Sequence, residues 1–178
     1  MKIILETDRL LLREFVPDDL EDFHRLVSDP DVTRYTGDGE HRIEEVRKGL
    51  EERVFRAYRQ HGYGRWATVL KASAWVIGFA GLKYLDDVGE TDVGYRFFKE
   101  YWGRGLATEA SAAVVRYGFE QLRLEKVVGI AHVENKASIR VLEKVGFTFQ
   151  SLTMYLGCPV VWYVMERAGP LPPRACES

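Results

Sequence analysis

The stretch with the most chemical content is Trp102-Gly103-Arg104-Gly105-Leu106-Ala107-Thr108, which lies between a predicted strand and a predicted helix. Glycines allow backbone N–H groups to converge on one point, and the dipole of a following helix adds positive potential there. Such a turn can bind a pyrophosphate. Short glycine motifs also serve simple tight turns, and this one lacks the spacing of a Walker loop or a dinucleotide-binding fingerprint.

A second motif follows, Asn135-Lys136-Ala137-Ser138-Ile139-Arg140-Val141-Leu142-Glu143-Lys144-Val145-Gly146-Phe147. With the glycine turn, it resembles the GNAT superfamily of acyl-CoA-dependent N-acetyltransferases. The segments ETDRLLLREF and GYRFFKEYWGRGLATEA extend the similarity to the RimJ/RimL-like branch, which acetylates the N-termini of ribosomal proteins. The resemblance covers residues 5–167. It implies the α+β GNAT fold and transfer of acetyl from acetyl-CoA to a primary amine.

The resemblance also implies which residues bind acetyl-CoA. The strand at 91–98 would splay from the strand at 127–131, and the pantetheine arm would pair with exposed backbone of Tyr95 and Phe97. Asn135 would bond the same arm through its side-chain amide, although it can equally be an ordinary helix N-cap. The expected pyrophosphate-binding residues are Gly103, Arg104, Gly105, Leu106, Ala107 and Thr108. Trp102 stands where the family has Gln or Arg, so no side-chain contact to the pyrophosphate is expected from it.

Direct attack by an amine requires a polarised thioester carbonyl, a base and a proton for the departing thiolate. A backbone N–H near Tyr95 or Phe97 is the candidate oxyanion donor. Ser138 is the candidate acid and a further expected acetyl-CoA-binding residue, because in RimL-like relatives it faces the cofactor from the first turn of its helix. A plain surface serine is the alternative. Asp92 is the candidate base through a water molecule, with a solvated turn acid as its alternative. His132 is a second candidate base.

The acceptor is less well determined. A protein N-terminus is the leading acceptor, and a small-molecule amine such as an aminoglycoside or a polyamine is the alternative. The loop from Asp29 to Glu40 is acidic and can attract a cationic amine, although a merely solvated loop is the simpler interpretation. Tyr35 and Trp162 can line an acceptor pocket. Cys158 has no histidine partner in the sequence, so a thiol nucleophile is not expected.

Two other classes of function stay open. A catalytically silent acyl-CoA-binding sensor would keep the glycine turn and Asn135 but lack an effective acid. Leu142 supports this alternative because many GNAT enzymes have a proton-donating tyrosine at that position. A nucleotide-binding module fits less well, since no acidic residue is placed for a ribose and no crossover repeat follows.

The elements that must position these residues follow from periodicity and turn residues. A strand at 9–15 precedes a helix opened by Pro17, and a second helix carries Ile43, Val46, Leu50, Val54 and Ala57. Antiparallel strands are predicted at 66–70 and 74–85, followed by a strand at 91–98, a helix at 103–122 and a strand at 127–131. A helix at 136–145 ends at Gly146, and a hairpin at 147–156 and 160–167 turns around Gly157-Cys158-Pro159. The strand–helix–strand unit predicts one parallel pair in a mainly antiparallel sheet.

Composition limits the remaining possibilities. The 178 residues include 25 Lys+Arg and 27 Asp+Glu, a net charge of −2, which argues against a general nucleic-acid binder. Cys158 and Cys176 form no cluster, so neither a disulfide framework nor a metal site is expected. No targeting or membrane-spanning segment is recognised, which predicts a cytoplasmic protein. One domain is expected over residues 1–168, as a monomer or homodimer, with a disordered Pro-rich tail at 169–178.

Overall fold

The computed structural model describes residues 2–36 and 42–169. Eight strands are present: β1 (Ile3–Glu6), β2 (Leu10–Arg13), β3 (Arg65–Leu70), β4 (Trp75–Leu85), β5 (Glu90–Phe97), β6 (Lys126–His132), β7 (Thr148–Tyr155) and β8 (Cys158–Glu166). They form one sheet in the order β1-β2-β3-β4-β5-β6-β8-β7. Only β5 and β6 pair in parallel within this sheet. The predicted mixed, mainly antiparallel α+β fold is confirmed.

Helices cover both faces of the sheet. They are α1 (Leu20–Val27), α2 (Pro30–Thr33), α3 (Ile43–Gly49), α4 (Arg56–His61), α5 (Leu106–Glu120) and α6 (Lys136–Val145). A π-helical segment, Leu50–Phe55, joins α3 to α4, so the second predicted helix is continuous. On the face of α1, α3 and α4, a small core contains Leu26, Leu50 and Phe79. The larger core lies on the face of α5 and α6.

Strand β5 alternates its side chains between the two faces of the sheet. Val93 and Phe97 are buried in the core on the α5 side, and Tyr95 packs against it. Asp92 and Gly94 lie on the opposite face, because successive side chains of a strand point to opposite sides. The predicted alternation along this segment is therefore confirmed.

Strands β5 and β6 meet over a very short distance. Their parallel ladder contains one residue pair, Asp92 with Val128, although β5 continues to Phe97 and β6 to His132. The next ladder, between β6 and β8, pairs all residues of β6. The two central strands therefore separate beyond Asp92, as predicted, and leave a gap between them.

Three local predictions are corrected by the structure. The strand predicted at 9–15 is β2, and an additional strand, β1, precedes it and pairs with it. Helix α5 begins at Leu106 and not at Gly103, since Gly103 and Gly105 have φ of +72° and +76°, which is left-handed backbone. The last hairpin turns at Leu156 and Gly157, with Cys158 already in β8.

The predicted end of α6 is confirmed, whereas predictions for residues outside the described ranges stay predictions. Gly146 ends α6 with φ of +106°, as predicted for a C-terminal cap. In the ranges that the structure describes, no helix is long and apolar enough to cross a membrane. Asp38, Glu40, Cys176 and the Pro-rich tail beyond Gly169 lie outside the described residues.

A buried ion pair ties β2 to the turn before α1. Arg13 donates two hydrogen bonds to the Asp19 carboxylate, at 2.6 and 2.7 Å, and the Val16 N–H donates a third at 2.8 Å. We expect Asp19→Ala to lower the free energy of unfolding by about 3–5 kcal/mol, because it leaves a buried guanidinium unpaired. Urea unfolding measures this.

The control is the exposed ion pair between Lys2 and Glu14, 3.2 Å long. Glu14→Ala should cost only about 0–1 kcal/mol, since water already screens that pair. Equal losses for Asp19→Ala and Glu14→Ala would contradict the assignment of Arg13–Asp19 as a structural pair.

Candidate active site

The start of α5 is an anion site built from backbone. The first described helical bond is from the Glu109 N–H to the Gly105 carbonyl, at 3.0 Å. The N–H groups of Leu106, Ala107 and Thr108 consequently have no acceptor within the helix. Gly105 occupies the N-cap and has no side chain to satisfy them. Three N–H groups and the positive end of the helix dipole thus face one point, which suits a pyrophosphate.

The turn between β1 and β2 holds this glycine loop in place. Arg9 Nε donates to Glu109 Oε2 at 2.6 Å, and Arg9 Nη1 donates to the Arg104 carbonyl at 2.9 Å. Thr7 Oγ1 also donates to Glu109, at 2.5 Å. Burial alone would raise the pKa of Glu109, but the donors Thr7 and Arg9 outweigh it and lower that pKa. The sequence did not predict these contacts of Thr7 and Arg9 with the glycine loop and Glu109, because no local pattern connects residue 9 to residue 109.

Trp102 has a definite contact in the loop. Its indole Nε1 donates to the Phe97 carbonyl at 2.8 Å, and the side chain is 48% exposed. The residue that departs from the family pattern therefore attaches the loop to the end of β5. It does not project as a free side chain.

The edge of β5 that faces the gap carries backbone hydrogen-bonding groups. The Phe98 N–H donates to the Ile77 carbonyl of the β4 side, at 3.0 Å. In an antiparallel ladder this direction alternates from residue to residue. With Phe97 opposite Gly78, the N–H groups of Phe97 and Tyr95 point away from β4 and into the gap. The predicted exposed backbone is present at these two residues.

The structure joins two predicted site residues through a contact that the sequence did not indicate. The Tyr95 hydroxyl donates to Ser138 Oγ at 3.0 Å. Asn135 Oδ1 accepts the Ser138 N–H at 3.1 Å, so Asn135 is the N-cap of α6. Burial raises the pKa of Tyr95 to about 12, with the Ser138 hydrogen bond opposing this in part. Tyr95 is therefore a stable donor at neutral pH.

Asp92 is buried on the other face of β5 and is paired with Arg65. Arg65 Nη2 contacts Asp92 Oδ2, and Arg65 Nη1 donates to the Asp92 carbonyl at 3.1 Å. Burial raises the pKa of Asp92, and Arg65 opposes that rise. Oδ1 makes no hydrogen bond of good geometry within the described residues, although the Ile130 N–H lies near enough to lower the pKa. Glycine is required at position 94, because a Cβ there would overlap the Arg65 guanidinium.

The remaining candidates have structural partners. His132 Nδ1 accepts the Glu134 N–H at 3.2 Å. The His132 ring also stacks on Tyr35 at a centroid distance of 5.5 Å. Trp162 contacts Tyr155 edge-on at 5.8 Å.

Leu142 and the acidic residues of the loop after α1 also have structural roles. Leu142 is 3% exposed and packs over Gly129 in the core. In the acidic loop, Asp31 pairs with Lys99 at 2.5 Å, and Asp29 caps α2 by accepting the Asp31 N–H. Across residues 2–36 and 42–169, no three His, Cys, Asp or Glu side chains are grouped to hold a metal ion.

A cleft of about 930 Å³ opens beside β5, on the face that carries Asp92. Its floor includes Lys83 of β4 and Arg96 of β5, and its walls come from α1, α3, the π-helical segment and α4. The gap between β5 and β6 thus has an anion site at one end. The cleft lies on the sheet face opposite α5, along β3, β4 and Arg96 of β5. Such an arrangement can admit two substrates from different sides.

Comparison with known proteins decides the family. Residues 9–148 match the acetyltransferase (GNAT) domain. The chain belongs to the GNAT acetyltransferase family. It is 35% identical to the uncharacterised N-acetyltransferase YoaA of Bacillus subtilis over 147 residues, 81% of this chain and 82% of YoaA. It is an acetyl-CoA-dependent N-acetyltransferase.

Solved structures of GNAT proteins share the fold at low identity. RimL, a ribosomal L7/L12 α-N-protein acetyltransferase in complex with coenzyme A, has a TM-score of 0.76 at 18% identity and covers 93% of this chain and 98% of its own. The aminoglycoside acetyltransferase AAC(6')-Ib in complex with coenzyme A has a TM-score of 0.75 at 19% identity, with coverage of 89% and 95%. The two act on different acceptors, so the fold leaves the acceptor of this GNAT protein open.

The described residues fit acetyl-CoA as the donor substrate. The unsatisfied N–H groups at the start of α5 suit the pyrophosphate, and the open edge of β5 can pair with the amides of pantetheine. The Asn135 amide nitrogen has no hydrogen bond assigned among the described residues and can also donate to that arm.

We expect Gly103→Val to raise the Kd for acetyl-CoA at least roughly 10-fold, because a branched side chain at φ of +72° distorts the loop. Gly157→Val is a matched control. Gly157 has φ of +78°, and neither glycine has an atom within 4 Å of an added Cβ, but Gly157 lies in the last hairpin. Calorimetric titration should show nearly unchanged affinity for Gly157→Val, and equal weakening would argue against the loop as the pyrophosphate site.

Proposed function

We propose that this GNAT enzyme acetylates the amino terminus of a protein, by direct attack of the amine on acetyl-CoA, in the cytoplasm. Ser138 donates the proton to the departing thiolate, and Asp92 takes the proton of the amine through water. The observation that carries this proposal is the hydrogen bond from Tyr95 to Ser138 beside the gap between β5 and β6. A small-molecule amine, such as an aminoglycoside or a polyamine, is the alternative acceptor.

The contact with Tyr95 gives Ser138 a definite proton. Because Ser138 Oγ accepts from the Tyr95 hydroxyl, its own O–H must point to a different acceptor. Tyr95 keeps its proton at neutral pH, since its pKa is raised to about 12. When Ser138 gives up its proton, the Tyr95 proton can move along the existing hydrogen bond to replace it. Acetyl-CoA, when bound, supplies the thioester and the thiolate leaving group.

This pair also weakens the alternative of a silent acyl-CoA sensor. That alternative rested on Leu142, which stands where many GNAT enzymes have a tyrosine. Leu142 is buried in the core, but Tyr95 brings a phenol to the gap from β5. The backbone N–H of Tyr95 or Phe97 then serves as the oxyanion donor, because a fixed donor outside water stabilises developing charge strongly.

Asp92 supplies the basic side of the mechanism. Burial raises its pKa above that of an exposed aspartate, which makes the carboxylate a stronger base toward an amine. Arg65 favours the ionised carboxylate and so opposes the effect of burial on its pKa. Asp92 also lies on the cleft side of β5, where the amine would arrive.

The choice of a protein N-terminus is supported by the open cleft of about 930 Å³, which has room for the first residues of a peptide. Release of coenzyme A should be followed with a panel of peptides bearing free N-termini, an aminoglycoside and spermidine. Turnover of peptides above the two small amines supports the proposal. Turnover of the aminoglycoside or spermidine alone would replace the peptide with the alternative acceptor.

Replacing Ser138 by Ala should lower kcat roughly 100-fold or more, because the leaving thiolate loses its proton donor. Tyr95→Phe should lower kcat by a smaller factor, and the Kd for acetyl-CoA should stay unchanged in both variants. Tyr163→Phe is the control, since it removes a comparable phenol hydrogen bond, to Glu143 at 3.0 Å, outside the gap. Wild-type kcat in Ser138→Ala would remove Ser138 from the mechanism.

The pH profile tests Asp92 separately. A base works when ionised, so kcat/KM should rise as pH increases through the raised pKa of Asp92. Asp92→Asn should abolish this rise, and Arg65→Gln should move it to higher pH, because Arg65 lowers the Asp92 pKa. Thermal melting and acetyl-CoA binding check that both variants fold. An unchanged profile in folded Asp92→Asn would exclude the base role.

A further inference from the structure

The cleft beside β5 carries more positive than negative side chains. Five basic residues line it: Arg53, Arg56, Arg65, Lys83 and Arg96. Three acidic residues line it: Glu45, Glu52 and Asp86. The cleft is therefore basic in a protein whose net charge is −2. A local excess opposite in sign to the whole molecule marks a place where an anion is attracted.

Pairing within the cleft increases this imbalance. Glu52 lies 3.8 Å from Lys48, and Glu45 lies 3.4 Å from Arg42, so two of the lining acids have cationic partners outside the cleft. Only Asp86, at the turn after β4, has no ion pair assigned within the described ranges.

Two of the basic residues form no direct ion pair within the described ranges. Arg65 is neutralised by Asp92, but Lys83 and Arg53 have no carboxylate within 4.0 Å in the described part of the chain. Burial lowers the pKa of Lys83, and the charges of Arg65 and Arg53 lower it further, whereas Asp92 and Asp87 oppose this in part. These cations repel one another in the empty cleft, and a bound anion would relieve that repulsion.

Lys83 also lies close to the site of the reaction. It is the residue opposite Asp92 in the ladder between β4 and β5. Asp92 in turn is the last residue of β5 that pairs with β6 before the gap opens. A negative group bound at Lys83 would therefore belong to the part of the acceptor next to its reacting amine.

Resting on the proposed function, we propose that the acceptor is an acidic amino terminus, whose carboxylates just behind the reacting amine pair with Lys83 and Arg53. Charge-assisted hydrogen bonds to carboxylates are stronger than neutral ones, so they select among peptides as well as hold them. The same cations disfavour polycationic acceptors, such as aminoglycosides and polyamines, by charge repulsion. The acids Asp29 and Asp31 of the nearby loop do not offset this, because Asp31 already pairs with Lys99 and Asp29 caps α2.

The test compares three peptides that differ only at the second and third residues: Ser-Glu-Glu, Ser-Gln-Gln and Ser-Lys-Lys, each followed by the same neutral tail. We expect kcat/KM for the Glu peptide to exceed that for the Gln peptide roughly 10-fold, with the Lys peptide poorest. Lys83→Gln and Arg53→Gln should each reduce the preference by raising KM while kcat stays constant. Arg47→Gln is the matched control, because it removes one exposed charge from α3 outside the cleft.

A second measurement separates this inference from the proposed function. Calorimetry should detect the Glu peptide binding to the protein saturated with coenzyme A, and binding should weaken in Lys83→Gln but not in Arg47→Gln. Peptide turnover with equal or greater activity on the Gln or Lys peptide overturns the acidic preference and leaves N-terminal acetylation standing. Lack of turnover with any peptide removes the proposed function. If no peptide is turned over, calorimetry still tests this inference. Binding of the Glu peptide that weakens in Lys83→Gln supports it. No binding, or equal binding to the wild type and Lys83→Gln, overturns it.

Discussion

The separation of β5 from β6 is the constraint on which the rest of the molecule depends. A ladder reduced to the pair Asp92–Val128 leaves backbone N–H and C=O groups without partners in the middle of a sheet, which is costly unless a ligand or water satisfies them. The sheet tolerates this because each strand is held on its other side by a long antiparallel ladder, β5 by β4 and β6 by β8. The gap is thus a stable opening in an otherwise continuous sheet.

Two simple geometric rules then make the two sides of that gap different. The crossover from β5 to β6 runs through α5, so the positive end of a helix comes immediately after the carboxyl end of β5. The two-residue period of β5 sends Tyr95 toward Ser138 and Asp92 toward the cleft. The Tyr95–Ser138 hydrogen bond and the Asp92 carboxylate consequently lie on opposite sides of the strand.

The sequence was sufficient to predict those helices and strands whose ends are set by neighbouring residues. Helix α6, its cap at Asn135 and its end at Gly146 were predicted residue by residue, and so was the parallel pair across the α5 crossover. The turn of the last hairpin was placed too late, because Cys158 and Pro159 resemble turn residues but lie in β8. Strand β1 was missed, since a short edge strand of four residues leaves little pattern to detect.

The contacts that complete the site could not be predicted, because they join residues far apart in the chain. Tyr95 and Ser138 are 43 residues apart, and Arg9 and Glu109 are 100 apart. No local sequence pattern links either pair. The two members of each pair become neighbours only when the sheet has formed. The order of strands in that sheet is set by all of its pairings together.

Glycines of the central strands make room for the ion pair between Arg65 and Asp92. Arg65 of β3 lies opposite Gly81 of β4, and Gly81 lies opposite Gly94 of β5. The guanidinium donates to the Gly81 carbonyl at 2.5 Å on its way to Asp92, and it occupies the space that a side chain at position 94 would need. A glycine inside a strand usually weakens it. Here the absence of that side chain lets a cation cross the sheet surface and compensate a buried carboxylate at the edge of the gap.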